Sequence, residues 1–223
     1  MAGFARLRQK KFLVLGRAGM DLYADPPGTR AEEAQQFSSA LGGSAANIAT
    51  AIVKLGGAAT LVTTVSDDAV GRFICNQLSH FGVGTQHVAV AGGEARSSLA
   101  VVETRIDDCQ SVIYRNGAAD FALTRQVVAA INYDDFGALV VTGTSLALEP
   151  SRSATFHALS LARESGMPII LDVDYRPYSW ASKIEASEIC ARAASLSDII
   201  VGNDVEFAVM AGSGSGLHLA RTM

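Results

Sequence analysis

The chain has 223 residues, 49% of them hydrophobic and 18% charged, which excludes a disordered segment and leaves room for one well-buried core. Its formal net charge of −4 counts against a nucleic-acid binder, whose surface is usually basic. No stretch approaches the roughly 18 apolar residues of a membrane span, so neither nucleic acid nor membrane is expected as a partner.

In chain order, "MAGFARLRQKKFLVLG" has the outline of a signal peptide, but its apolar run after Lys11 is about five residues, short of the roughly 7–15 required. "FLVLG" (12–16) reads as a buried strand. Residues 22–40 are polar and turn-rich, with Pro26-Pro27-Gly28 inside them. "LGGSAANIATAIVKLG" (41–56) predicts a helix with Ser44 as N-cap and Gly56 just past its end. A strand follows at 59–65, then a helix at 68–80 capped by Asp67. Residues 87–91, 98–104 and 111–115 read as strands, the last two as a hairpin across Asp107-Asp108. Helices at 123–131, 151–165, 184–195 and 203–212 then alternate with strands at 138–143, 168–173 and 198–202.

The βαβα order with near-continuous apolar strands predicts an α/β fold, a mostly parallel sheet covered by helices on both faces. Segments 22–40 and 87–115 do not fit that core and are expected to form a small β flap beside it. In the tail "AGSGSGLHLARTM" the stretch "GSGSG" is flexible in composition, and the expectation is a single, incomplete domain over 1–223. Cys75, Cys109 and Cys190 lie far apart without a CxxC and read as free thiols of a cytoplasmic protein. The four histidines show no metal-ligating spacing, and Trp180 reads as a packing anchor.

Ligands of open parallel sheets bind beyond the carboxyl ends of the strands. Polar residues just after predicted strands are therefore the candidates: Asp21, then Asp172, Asp174 and Arg176, then Asn203 and Glu206. Gly42, Gly43 and Asn47 stand at a helix start, where free N–H groups attract anions or hydroxyls. Each has a plainer reading. Asp21 would cap a turn, Gly42 and Gly43 would only permit positive φ, and Arg176 would pair with a surface acid. Glu206 would only complement a helix dipole. Asp172 and Asp174 alternate along a strand end, so only one is expected to enter the site. There is no Walker-type P-loop, no GxGxxG after the first strand and no GxSxG elbow.

Taken together, "GRAGMD" (16–21), "LGGSAANIATAIVKLG" (41–56), "VSDDAVGRFICNQLSHFGV" (65–83), "DVDYRP" (172–177) and "NDVEF" (203–207) resemble the ribokinase-like (PfkB) sugar kinases. Within them, "GRAGMDLYA", "YRNGAAD", "VTGTSLALEPSR" and "DVDYRPYSW" look most like the branch acting on 5-dehydro-2-deoxygluconate in inositol catabolism. The resemblance implies a three-layer α/β/α fold with a β lid, and an ATP- and Mg2+-dependent transfer to a sugar's terminal hydroxyl. Asp21 matches the aspartate that binds sugar hydroxyls. Gly42, Gly43 and Asn47 match the signature that lets a sugar lie against backbone, and Asn203 and Glu206 match a pair near magnesium and the nucleotide phosphates. Arg115 and Arg176 match positions that contact the carboxylate of acidic sugars, with Tyr114 and Arg96 as further candidates. An arginine fork suits that group.

The family's later GAGD segment does not occur, and "GSGSG" lacks its aspartate. The resemblance thus implies the sugar-binding two-thirds of a kinase, with no catalytic base assigned and the isolated chain inactive. A homodimer through the lid is expected. Alternatives are a 2-keto-3-deoxygluconate kinase, a fructokinase-like kinase, or a non-catalytic sugar-binding module.

Overall fold

A computed structural model describes residues 3–105, 107–212 and 214–222. Met1 and Ala2 of the N-terminal stretch, Ile106 of the expected flap, and Ser213 and Met223 of the tail lie outside the described residues.

The strands β1 (Lys11–Leu15), β4 (Ala58–Ser66), β5 (Gly84–Ala91), β8 (Ala138–Thr142), β9 (Ile169–Asp172) and β10 (Ile199–Val201) form the main sheet. Among the described residues its order is β10-β9-β8-β1-β4-β5, and every pair is parallel. These strands are apolar on both sides because both faces are covered. Alternation then sorts their side chains into two cores. Leu13, Leu15, Leu139 and Val141 face one way, against α3 (Arg125–Ala129), α4 (Ser151–Glu164), α5 (Lys183–Ala194) and α6 (Asp204–Met210). Val14, Leu61, Val65 and Val140 face the other, against α1 (Ser44–Lys54) and α2 (Ala69–His80). Trp180 is buried in the first core, as its reading as an anchor requires. The N-terminal segment is tied down in a similar way. Arg6 donates to the carbonyls of Ser165, Tyr133 and Phe136 at 2.6, 3.0 and 2.9 Å.

A second sheet is built from β2 (Gly19–Asp25), β3 (Gln36–Gly42), β6 (Ser98–Val102) and β7 (Ser111–Tyr114), in the order β3-β2-β6-β7. This is the expected flap, with one correction. Residues 87–91 belong to β5 and pair in parallel with β4 at the edge of the main sheet. They follow a helical crossover, which returns a strand to the same sheet. The hairpin of β6 and β7 is as expected.

Two helix starts differ from the sequence reading. The N-cap of α1 is Gly43, with φ of 95°, and Ser44 is already helical. The N-cap of α2 is Asp68, whose Oδ1 accepts from the amides of Val70 and Gly71 at 2.9 and 3.0 Å. Asp67 instead prolongs the sheet, its amide donating to the Ala91 carbonyl. The tail also carries a helix, α7 (Gly216–Thr222), which begins at the last glycine of the "GSGSG" stretch. No described helix is long and apolar enough to cross a membrane. The three cysteines are free thiols.

Candidate functional site

The chain runs from β1 through β4 to β5 on one side of the sheet, then returns through β8 to β10 on the other. The strand order therefore reverses between β1 and β8, where a crevice opens beyond the carboxyl ends. Gly16 and Arg17 leave β1 there, Thr142 and Thr144 leave β8, and Asp172 to Asp174 leave β9.

Close packing at this edge explains the glycines. A Cβ on Gly16 would collide with Thr142 Oγ1, and its φ is 154°. A Cβ on Gly43 would collide with the Arg17 carbonyl and sit 2.7 Å from the Ala18 Cα. A Cβ on Gly42 would land on the Asp21 carboxylate. Both glycines are thus required by neighbours within the chain, and Gly42 makes the recess that Asp21 occupies. Asp21 is half-buried. Burial pushes its carboxyl above the usual range, opposed by Arg17 and the Tyr23 hydroxyl. Asn47 stands exposed one turn into α1.

The lid's register sorts the remaining candidates. Asp21 pairs with Ala40 and Ala100, and Ala100 with Ile113, so these residues share one face. Tyr114 pairs with Leu99, which pairs with Met20. It therefore points to the opposite face and is 61% exposed. The expectation that Tyr114 joins Asp21 at a sugar is corrected by this pleat. Arg96 is corrected as well. Its side chain is 60% exposed and lies 4.0 Å from Asp68 and 3.7 Å from Glu94. Only its backbone serves the crevice, accepting from Ala119 N at 2.8 Å and so holding the segment that carries Asp120.

Arg115 is buried, and its guanidinium is committed to the protein. Nε and Nη2 both donate to Asp120 Oδ2, Nη2 also to the Thr144 carbonyl at 2.9 Å, and Nη1 to Ser179 Oγ at 3.3 Å. The Phe121 ring lies 4.1 Å beneath it. Rather than waiting for a ligand, Arg115 ties the end of the lid to the loops after β8 and β9. It still lines a cavity of about 410 Å³ with Ile113, Asn116, Leu148 and Tyr178.

Beyond β9, Asp174 is buried at 5% exposure and adopts φ of 37°. The expectation that only one of Asp172 and Asp174 enters the site is corrected: residues two apart on a strand share a face, and the two carboxylates lie close enough to act on each other. The Asp174 amide donates to Asp172 Oδ1 at 3.2 Å, and Arg176 Nη2 meets Asp174 Oδ1 at 2.8 Å. Arg176 is nearly half exposed, at the rim. Burial, then the Asp174 and Glu206 carboxylates, push the Asp172 carboxyl up to about 6.

This elevation has a stability consequence. Between the usual carboxylate value near 3.9 and about 6, native Asp172 holds a proton that the unfolded chain has released. Its contribution is thus present at low pH and lost as pH rises through about 6. Discounted for partial exposure, it is worth about 1 kcal/mol. Asp172→Asn keeps the oxygen that accepts from Asp174 and removes the charge. The variant is expected to match the wild type in urea melts at pH 4 and exceed it by about 1 kcal/mol at pH 7.5. A gap that does not change with pH would count against the assignment.

Asn203 and Glu206 form a capping box on α6. Asn203 Oδ1 accepts from Glu206 N at 3.0 Å and Glu206 Oε2 from Asn203 N at 2.8 Å. Glu206 Oε1 accepts from Tyr175 N at 3.0 Å. Both carboxylate oxygens therefore serve the backbone. No three described acidic, histidine or cysteine side chains are placed to hold a metal ion.

Two residues of the crevice were not singled out from the sequence. Arg17 sits inside "GRAGMD", two positions past β1, where the rule about strand ends would have found it. Asp120 ends "YRNGAAD", five residues after the arginine it holds, and its spacing gave no comparable signal.

A model of the pfkB family of carbohydrate kinases matches residues 9–218. The chain is 43% identical over 198 residues to a 5-dehydro-2-deoxygluconokinase of Photobacterium profundum, covering 89% of this chain and 60% of that protein. Among solved structures, a fructokinase of Vibrio cholerae O395, in a form bound to fructose, ADP and a potassium ion, superimposes with a TM-score of 0.81 at 27% identity, covering 95% of this chain and 66% of that one. A 2-dehydro-3-deoxygluconokinase of Thermotoga maritima gives 0.82 at 22% identity, covering 92% and 63%. The chain thus spans about 60% of the length of the curated relatives it matches.

Proposed function

Because this chain belongs to the pfkB family of carbohydrate kinases, we propose that it carries the sugar site of a kinase for an acidic sugar, 5-dehydro-2-deoxygluconate first among them. The activity proposed for the whole enzyme is transfer of a phosphoryl group from ATP, with Mg2+, to the sugar's terminal hydroxyl, in the catabolism of inositol. The observation that carries the reading is the meeting of Asp21, in its Gly42 recess, with Arg17, which also lies within reach of the charges of Arg115, Asp120 and Asp174. Arg115 and Arg176 are already paired with Asp120 and Asp174, which leaves the Arg17 guanidinium as the cation that a sugar acid, unlike a neutral hexose, would neutralise.

In this reading Asp21 accepts hydrogen bonds from two sugar hydroxyls and fixes the substrate's orientation. The lid excludes water from the crevice. Arg115 and Asp120 hold the lid's end at the β8 loop, which keeps the crevice in shape before the sugar arrives. A second copy pairing through the lid belongs to the same proposal. Its support is that Phe37, Val112 and Tyr114 share the lid's outer face and are exposed.

Calorimetric titration with 5-dehydro-2-deoxygluconate, 2-dehydro-3-deoxygluconate and fructose tests the reading. The first is expected to bind tightest and fructose at least tenfold more weakly, the discrimination one charge-assisted contact of about 1.5–3 kcal/mol supplies. Fructose binding as tightly as the acids would overturn it.

A further inference from the structure

Arg17 is 8% exposed. A guanidinium has five N–H donors, yet the side chain makes one hydrogen bond among the described residues, Nη1 to Ser98 Oγ at 3.1 Å. Its Nε and Nη2 are not among the fully buried side-chain atoms left without a partner, so these donors keep contact with solvent and are open to a partner. The nearby carboxylates do not supply it. Asp120 is held by Arg115 and Asp174 by Arg176. Asp21 acts on Arg17 only through space, as do Asp120 and Asp174, while burial and the like charge of Arg115 press the guanidinium toward deprotonation.

The two buried arginines differ in the edge they leave open. Arg115 presents its Nε/Nη2 edge to Asp120. Arg17 is pinned through Nη1 instead, which leaves its Nε/Nη2 edge without an acceptor among the described residues. Gly19 preserves this placement. A Cβ there would lie 2.7 Å from Ser98 Oγ and 3.3 Å from Arg17 Nη1, crowding the pin. That edge is the one that takes two carboxylate oxygens side by side.

We propose that Arg17, rather than Arg115, binds the carboxylate of the substrate and sets the preference for a sugar acid. The proposal rests on the acidic-sugar reading above. Asp21, four residues on, would take hydroxyls of the same molecule, so the "GRAGMD" turn supplies both the charged and the neutral contact.

The test compares 5-dehydro-2-deoxygluconate with its methyl ester, which keeps the hydroxyls and removes the charge. Affinities of both are measured by calorimetry for the wild type, Arg17→Met, Arg17→Lys and Arg115→Lys. The wild type is expected to prefer the acid about 100-fold, and Arg17→Met to bind acid and ester alike. Arg17→Lys, which keeps the charge but not the fork, is expected to retain about tenfold preference; it decides the matter if the methionine variant does not fold. Wild-type preference preserved in both Arg17 variants overturns the proposal and leaves the acidic-sugar reading intact, the more so if Arg115→Lys abolishes it. A wild type that does not distinguish acid from ester overturns both.

Discussion

Gly42→Ala is expected to weaken sugar binding about 30- to 100-fold while lowering stability by less than about 1 kcal/mol. The added Cβ would land on the Asp21 carboxylate. Asp21 pairs with Ala40 on the neighbouring strand, so the residue two along, Gly42, lies under the same face. The backbone of β3 is fixed by seven register partners with β2, from Gly19 to Asp25. The carboxylate is the end of a side chain on a half-buried strand and is free to rotate. The clash is therefore relieved by turning Asp21 away, which preserves the fold and removes the ligand. The cause is read from a double-mutant cycle. Asp21→Ala alone should lose binding to a similar degree, and Gly42→Ala should add nothing in that background. Additive losses would show that Gly42 acts on the sugar through its own backbone.

Asp120→Ala is expected to cost about 3–5 kcal/mol. Its side chain and that of Arg115 are 3% and 4% exposed. Removing the carboxylate leaves a buried guanidinium with the Thr144 carbonyl and Ser179 Oγ as its remaining acceptors. For a chain of this size the loss corresponds to a fall in Tm of about 10 °C, seen by calorimetry without any sugar present. Replacing both partners with apolar residues, Arg115→Met with Asp120→Leu, should restore much of it. A fall of under about 3 °C for the single variant would return Arg115 to the list of free ligand-binding groups.

Legibility differed by the physical scale of the signal. The parallel sheet could be read because β1, β8 and β9 are apolar on both faces, and doubly covered strands have no other composition. The lid could be located but not apportioned. Residues 87–91 look like any half-buried strand, and only the crossover through α2 assigns them to β4. Arg115 was chosen as a ligand by its residue type. Its commitment to Asp120, Thr144 and Ser179 depends on contacts up to 64 residues apart in the chain, which no local pattern encodes. Tyr114 failed for a simpler reason, since one step along a strand reverses the face. The two glycines were expected to lie against a sugar, and in the structure their near neighbours are Asp21 and the Arg17 backbone. Asn203 and Glu206 have the spacing of a capping box, and that is what they form.

A crystal structure of the chain with 5-dehydro-2-deoxygluconate bound tests the central claim most directly. The account predicts the sugar in the crevice between β1 and β8, its hydroxyls on Asp21 and its carboxylate across the Nε/Nη2 edge of Arg17, with the Arg115–Asp120 pair unbroken. A sugar seated elsewhere, or a carboxylate that displaces Asp120 from Arg115, would contradict it.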